Sequence, residues 1–175
     1  MQMSINTTGK PKGDVVSEIR QLLESDGYSI AELEVNKPWG AFFRLDNDDA
    51  PKFIEQYFPG LTLDEARLGT ENAELSPKIL VVSPEQRLSW QYHHRRAERW
   101  NFLTGGSYVV SKTDEQTPVV QAQAGTVLQI ACGERHRLIG LPKDYALVAE
   151  IWQHVDPEQA SDEQDIVRLQ DDYQR

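Results

Sequence analysis

A mainly β barrel or sandwich, headed by a small α-helical extension, is the architecture expected of this 175-residue chain. From residue 76 onward, short apolar segments recur at near-regular spacing, at 78–82, 88–93, 100–103, 107–111, 119–122, 126–130, 136–139 and 146–152. Turn residues separate them: Ser83-Pro84, Gly105-Gly106, Thr113-Asp114, Ala124-Gly125, Cys132-Gly133 and Pro142-Lys143-Asp144. Strands this short, punctuated this often, mark a closed or two-layered β unit. Before residue 76 the apolar spacing is helical instead.

Residues 1–13 are polar and aperiodic, and read as a flexible tail. A helix is expected over 14–25, with Val15, Val16, Ile19, Leu22 and Leu23 on one face, Asp14 as N-cap and Asp26-Gly27 as stop. A strand-like stretch spans 28–35. Pro38 and Gly40 interrupt it, and 41–45 is expected to pair at a sheet edge. A second helix should run over 50–58 and stop at Pro59-Gly60. Thr62 and Glu65 have capping-box spacing for a further helical turn. Residues 14–75 thus form an extension packing on a barrel of residues 76–175, whose C-terminal segment adds a last strand at 166–169 after a polar stretch at 157–164.

Eighteen Lys and Arg against 28 Asp and Glu give a net charge of −10, which argues against nucleic acid and anionic membrane surfaces as partners. The single cysteine, Cys132, excludes an intrachain disulfide. No apolar run reaches the ~18 residues of a membrane span, and the N-terminus lacks the apolar core of a signal peptide. A cytoplasmic location is expected. A homodimer braced by the N-terminal helix and an edge strand is the expected assembly.

The chemistry concentrates in residues 89–100. In a strand, residues i and i+2 share a face about 6.6 Å apart, so Gln91 and His93 point the same way and Trp90 and Tyr92 the other. Glu98 follows a short turn and could swing back to the same ion, and His136, after the Cys132-Gly133 turn, is the candidate fourth ligand. One amide oxygen, two imidazoles and one carboxylate suit a single divalent metal, zinc first, with manganese, iron, cobalt and nickel also open. The competing reading is plain polar surface, and spacing alone leaves the two level. His154, beside an acidic stretch, is expected to be exposed. Cys132 is expected to be a packed small residue. Trp39, Trp90, Trp100 and Trp152 read as core or interface anchors, with Trp100 the one placed to meet a ligand.

The run Leu88-Ser89, Gln91, His93-His94, Arg96-Ala97-Glu98 and Trp100 resembles the first metal-binding motif of the cupins. More narrowly, it resembles the cupin domain of type II mannose-6-phosphate isomerases, the C-terminal half of bifunctional mannose-1-phosphate guanylyltransferases. Lys37-Pro38-Trp39-Gly40 is similar to the signature that opens that domain. Residues 124–137, with His136, are similar to the second cupin motif, and 165–175, with Arg168, to the C-terminal signature. The resemblance implies a cupin-type double-stranded β-helix, a jelly-roll barrel, with Gln91, His93, Glu98 and His136 as ligands inside its mouth. It also implies interconversion of an aldose phosphate and a ketose phosphate. Residues 46–75 read as an insertion in that pattern.

Isomerisation moves a proton between C1 and C2 through a cis-enediol, so it needs a Lewis acid for the developing oxyanion and a general base. Lys78, His94 and Glu150 are the candidates for the base, the first and last because they match the family's recurrent Lys and Glu. Arg96, Arg137 and Arg168 are the candidates for the phosphate. The substrate could be mannose 6-phosphate, another hexose phosphate, a heptose phosphate or an unphosphorylated sugar. A metal-binding cupin of other chemistry, such as an oxygenase or epimerase, is a further class. The Gln ligand and the C-terminal signature argue against the oxygenase. A non-catalytic sugar-binding or regulatory cupin is the alternative, and an insertion covering the barrel mouth would favour it. An open mouth with converging arginines would favour the enzyme.

Overall fold

The structure, a computed structural model, describes residues 3–175. Helix α1 (Lys12–Ser25) buries Val15, Val16, Ile19 and Leu23, and Pro11 rather than Asp14 occupies the N-cap. Strands β1 (Ile30–Lys37) and β2 (Gly40–Leu45) form a hairpin. A 3-10 turn (Asn47–Asp49) leads into α2 (Ala50–Tyr57). Helix α3 (Leu63–Arg67) starts with the expected reciprocal capping box between Thr62 and Glu65. Then come β3 (Lys78–Val82), β4 (Trp90–Tyr92), β5 (Arg96–Phe102), β6 (Gly106–Ser111), β7 (Val120–Ala122), β8 (Val127–Ile130), β9 (Arg135–Ile139), β10 (Ala146–His154) and β11 (Val167–Gln170).

The strands form two antiparallel sheets, ordered β1-β2-β3-β10-β5-β8 and β11-β4-β9-β6-β7. This is the two-sheet arrangement of a jelly roll. The edge expected at 41–45 belongs to β1 instead, because β2 also pairs with β3. Gly40 makes that second pairing fit. Its φ is +149°, and a Cβ there would lie 1.8 Å from the Val81 carbonyl oxygen.

Residues of β3 and β10 alternate between two cores. Leu80, Val82, Ala146 and Val148 point between the sheets and pack with Trp100, Phe102 and Leu138. Ile79, Val81, Leu147, Ala149 and Ile151 point outward, where α1 and α2 cover them with Val15, Ile19, Leu23, Phe53 and Tyr57. Strands buried on both faces lose the polar alternation of an exposed sheet, which explains the apolar runs at 78–82 and 146–152. Residues 46–75 therefore back the large sheet rather than cap the barrel. Asn101 on the outward face of β5 donates its side-chain amide to the Tyr57 carbonyl at 2.8 Å.

The described part of the N-terminal segment is tied down, contrary to the tail expected over 1–13. Met3 and Thr7 are buried. The Thr7 and Thr8 hydroxyls both donate to the Asp144 carboxylate, at 2.5 and 2.8 Å. Polar composition hid this anchor because its acceptor lies 137 residues away.

Candidate metal centre

Four strands bring the candidate ligands to one end of the barrel. Gln91 of β4 sits opposite His136 of β9. Inward residues of β5 are Arg96, Glu98 and Trp100, and Glu150 on β10 lies opposite both Trp100 and Lys78. His93 leaves the end of β4 and turns toward Glu98. Its Nε2 lies 3.0 Å from Glu98 Oε1, and His136 Nε2 lies 3.5 Å from Glu98 Oε2. All three side chains are buried, Glu98 to 2% exposure.

These groups fit a cation. The Nδ1 atoms of His93 and His136 face the carbonyls of Asp165 at 2.6 Å and Glu134 at 2.9 Å. A carbonyl only accepts, so each Nδ1 carries the proton and each Nε2 lone pair faces the carboxylate. Arg96 supplies positive charge on one side, with Nε donating to Glu98 Oε1 at 3.0 Å and Nη2 3.5 Å from His93 Nε2, and a second ring proton or a shared metal ion would satisfy the lone pairs on the other. Glu98 Oε2 is buried without a hydrogen-bond partner among the described residues. Bonds of about 2.0–2.2 Å to one ion put neighbouring donors roughly 3.0–3.6 Å apart, the spacing seen here. The His93, Glu98 and His136 donor atoms all lie within 4.8 Å of one another. Gln91 approaches with its amide nitrogen, 3.5 Å from His136 Nε2, while Ser89 donates to its oxygen at 2.6 Å. A half-turn of that amide exchanges the two atoms and presents oxygen to the cluster.

The two buried carboxyls titrate in opposite directions. Burial pushes Glu98 up, but His93, His136 and Arg96 outweigh it and hold the carboxyl well below its usual range. Glu98 in turn raises His136 against the effect of burial. Glu150, equally buried and repelled by the Glu98 charge, is pushed up to about 7. Trp100 Nε1 donates to Glu150 Oε2 at 2.9 Å.

Gln91, Glu98 and Glu150 line a cavity of about 470 Å³ that opens at the barrel mouth, and His93 and His136 lie behind its wall against Glu98. Lys78 and Glu150 stand on its wall, and Lys78 Nζ is paired with Glu163 at 3.0 Å. Of residues 46–75 only Glu74 reaches it, so the mouth is open. Arg168 and Arg175 lie at the rim. Arg175 is paired with Asp171, whereas the Arg168 side chain makes no hydrogen bond or ion pair among the described residues.

Other expected residues lie elsewhere. His94 is exposed and stacks edge-on against Tyr92 at 5.2 Å, on the outer side of its strand, so it does not join the cavity. Arg137 is buried behind the wall and donates to the Leu88 and Gln170 carbonyls at 2.8 and 3.2 Å, which holds strands together and leaves nothing for a phosphate. Arg96 reaches the cavity, but its guanidinium is used: it donates to Glu98 at 3.0 Å and lies 3.9 Å from the Trp152 ring centroid. His154, expected at the surface, is 2% exposed. The backbone folds over it: Nε2 bonds to the Glu74 carbonyl at 2.9 Å, and Nδ1 accepts from Ser161 N at 3.1 Å. Cys132 Sγ donates to the His94 carbonyl at 3.1 Å and is not grouped with the ligands. Arg175 was open to discovery, since it closes the C-terminal motif that supplied Arg168.

The sequence profile of the mannose-6-phosphate isomerase C-terminal family matches residues 68–171, more than half of the chain. No curated protein matches in sequence. Among solved structures, the capsular polysaccharide assembling protein CapF from Staphylococcus aureus superposes with a TM-score of 0.52 at 15% identity, over 92% of this chain and 40% of CapF. In another crystal form of CapF the match has a TM-score of 0.50 at 14% identity, over 79% of this chain. The chain spans about a third of CapF's length, 34% in that comparison. A cupin 2 conserved barrel domain protein from Salinispora arenicola is 22% identical over 48% of this chain and 66% of its own, with a TM-score of 0.40. At these identities the CapF likeness concerns the fold alone. Among the described residues no helix is long and apolar enough to cross a membrane.

Proposed function

Because the chain belongs to the mannose-6-phosphate isomerase C-terminal family, we propose that it is a metal-dependent aldose–ketose isomerase acting on a sugar phosphate. One observation carries this reading: Glu98, the carboxylate of a buried three-donor cluster, and Glu150, a carboxyl pushed up to about 7, line one open cavity. Gln91, His93, Glu98 and His136 would hold the metal. A divalent cation bound there would polarise the substrate's carbonyl and hydroxyl oxygens as a Lewis acid.

Glu150 is the base. A general base works best when its pKa is near the working pH, and Glu150 is tuned to that range by burial and by Glu98. Trp100 holds one of its oxygens and leaves the other for the substrate. The carboxylate takes the proton from C2 of the aldose, giving a cis-enediol, and returns it to C1. Lys78, opposite Glu150 in the β3–β10 ladder, supports the proton shift between the two substrate oxygens. Arg168, whose side chain makes no ion pair among the described residues, takes the phosphate at the rim. Mannose 6-phosphate is the first candidate substrate, followed by other hexose and heptose phosphates.

The test is deuterium incorporation followed by NMR. Metal-loaded protein is incubated in deuterated water with mannose 6-phosphate, fructose 6-phosphate and sedoheptulose 7-phosphate. Label entering C1 or C2, lost in Glu150→Gln and in His93→Ala, is the expected result. Metal uptake with no label from any of the three would sink this substrate class. No metal and no label would replace the enzyme with a sugar-binding cupin.

A further inference from the structure

Most of the candidate centre is held from one place, a segment far along the chain. The Asp165 carbonyl fixes the His93 ring through Nδ1 at 2.6 Å, across 72 residues of sequence. The Asp165 carboxylate accepts from the backbone N–H of His94 at 2.8 Å and of Arg95 at 2.9 Å, the two residues that carry the chain away from His93. Its Oδ2 also accepts from the Ser161 hydroxyl at 2.7 Å. Ser161 Oγ accepts from Arg96 Nη1 at 3.0 Å, and Arg96 Nε donates to Glu98 Oε1 at 3.0 Å. Three residues beyond Asp165, Arg168 pairs with Gln91 across β11 and β4. His136 is anchored locally instead, by the Glu134 carbonyl two residues back, and Gln91 by the Ser89 hydroxyl two residues back.

We propose that Asp165 is a positioning residue for the metal centre, acting on His93 directly and on Glu98 through Ser161 and Arg96. Asp165, Ser161 and Arg96 are all buried, so water does not compete for these bonds. The His93 ring meets a backbone carbonyl that any residue at 165 would supply, so what the Asp165 side chain adds is the clamp on the His94 and Arg95 N–H groups, which seats that carbonyl, and the hydrogen-bonded chain to Glu98. Groups behind a metal ligand set its tautomer and orientation, and losing one typically weakens metal binding by about 10–100-fold.

This inference rests on the metal-centre reading, and the experiment separates the two. The full chain, stripped with chelator, is titrated with Zn²⁺ and with Co²⁺ by calorimetry, and the Co²⁺ spectrum is recorded. The ring tautomers of the metal-free protein are read by ¹⁵N NMR. Wild type should bind one ion and show His93 protonated at Nδ1. Asp165→Ala keeps the backbone carbonyl but frees the segment that carries it, so it should bind about 10–100-fold more weakly, with a changed Co²⁺ spectrum and a weakened preference of His93 for the Nδ1 proton. Asp165→Asn keeps the shape but turns an NH₂ toward donors, and should rescue only part of the loss. If Asp165→Ala does not fold, Ser161→Ala carries the test, because it removes one hydroxyl from the chain to Glu98. A folded variant with wild-type affinity and spectrum overturns the proposal while leaving the metal centre standing. A wild type that binds no ion overturns both.

Discussion

The layer behind the six-stranded sheet and the cavity in front of it are built from the same strands with different side chains. Along β10, Leu147, Ala149 and Ile151 face α1 and α2, while Val148, Glu150 and Trp152 face the barrel interior. The back layer is apolar. The front begins apolar at Ala146 and Val148 and becomes charged at Glu150, Lys78, Arg96 and Glu98. Taking charges out of water costs several kcal/mol per ion, which pairing offsets only in part, so the charged end depends on stability supplied elsewhere. The back layer supplies it by doubling the apolar area that each central strand buries.

That division can be broken from either side. The largest expected effect is at the front: Glu98→Gln should weaken metal binding by more than about 100-fold, beyond the loss of a supporting group, and should lower the metal-free melt as well, because buried Arg96 loses its carboxylate. Titration calorimetry and thermal denaturation check the two halves of that statement. At the back, Phe53→Ala should cost about 3–5 kcal/mol of stability, while the folded fraction binds metal as wild type does. Denaturant unfolding and the same titration measure this, and a parallel loss of metal affinity would show that the faces are not independent.

A third effect is smaller and depends on pH. The folded protein holds the Glu150 proton up to about pH 7, whereas the unfolded chain releases it near 4.5. The folded state therefore binds more protons in that window, and Glu150 withdraws stability as pH rises from roughly 4.5 through 7. Metal-free Glu150→Gln should lose that slope and melt higher than wild type above pH 7. The smallest effect marks where the back layer ends. Val127 on β8 is 48% exposed beyond the reach of the helices, and Val127→Thr should change stability by no more than about 0.5 kcal/mol.

Most strands could be read within a few residues because Gly, Pro and Asp break the chain at nearly every turn, and β3 has the expected bounds at 78–82. The central cluster was legible because strand parity alone puts Gln91 and His93 on one face. Parity also separates His94 from His93, as the structure bears out. The rest depends on distance along the chain. Residues 157–164 look like a solvated loop, yet Ser161 and Asp165 are buried against Arg95, Arg96 and His154. Arg137 sits inside a ligand-bearing motif, but its neighbours at Leu88 and Gln170 take its donors. Nothing local in the sequence announces such partners.

β10 has a bearing on how the molecule comes to exist. It is the tenth of eleven strands to leave the ribosome, yet β3 and β5 can join only through it. Until residues 146–154 are synthesised, the apolar 78–82 segment has β2 on one side and a bare edge on the other. Pairings of such long sequence separation form slowly, in milliseconds to seconds, and an open apolar edge invites association meanwhile. Yield during expression should therefore depend on chaperone capacity and growth temperature more than the finished protein's stability would suggest.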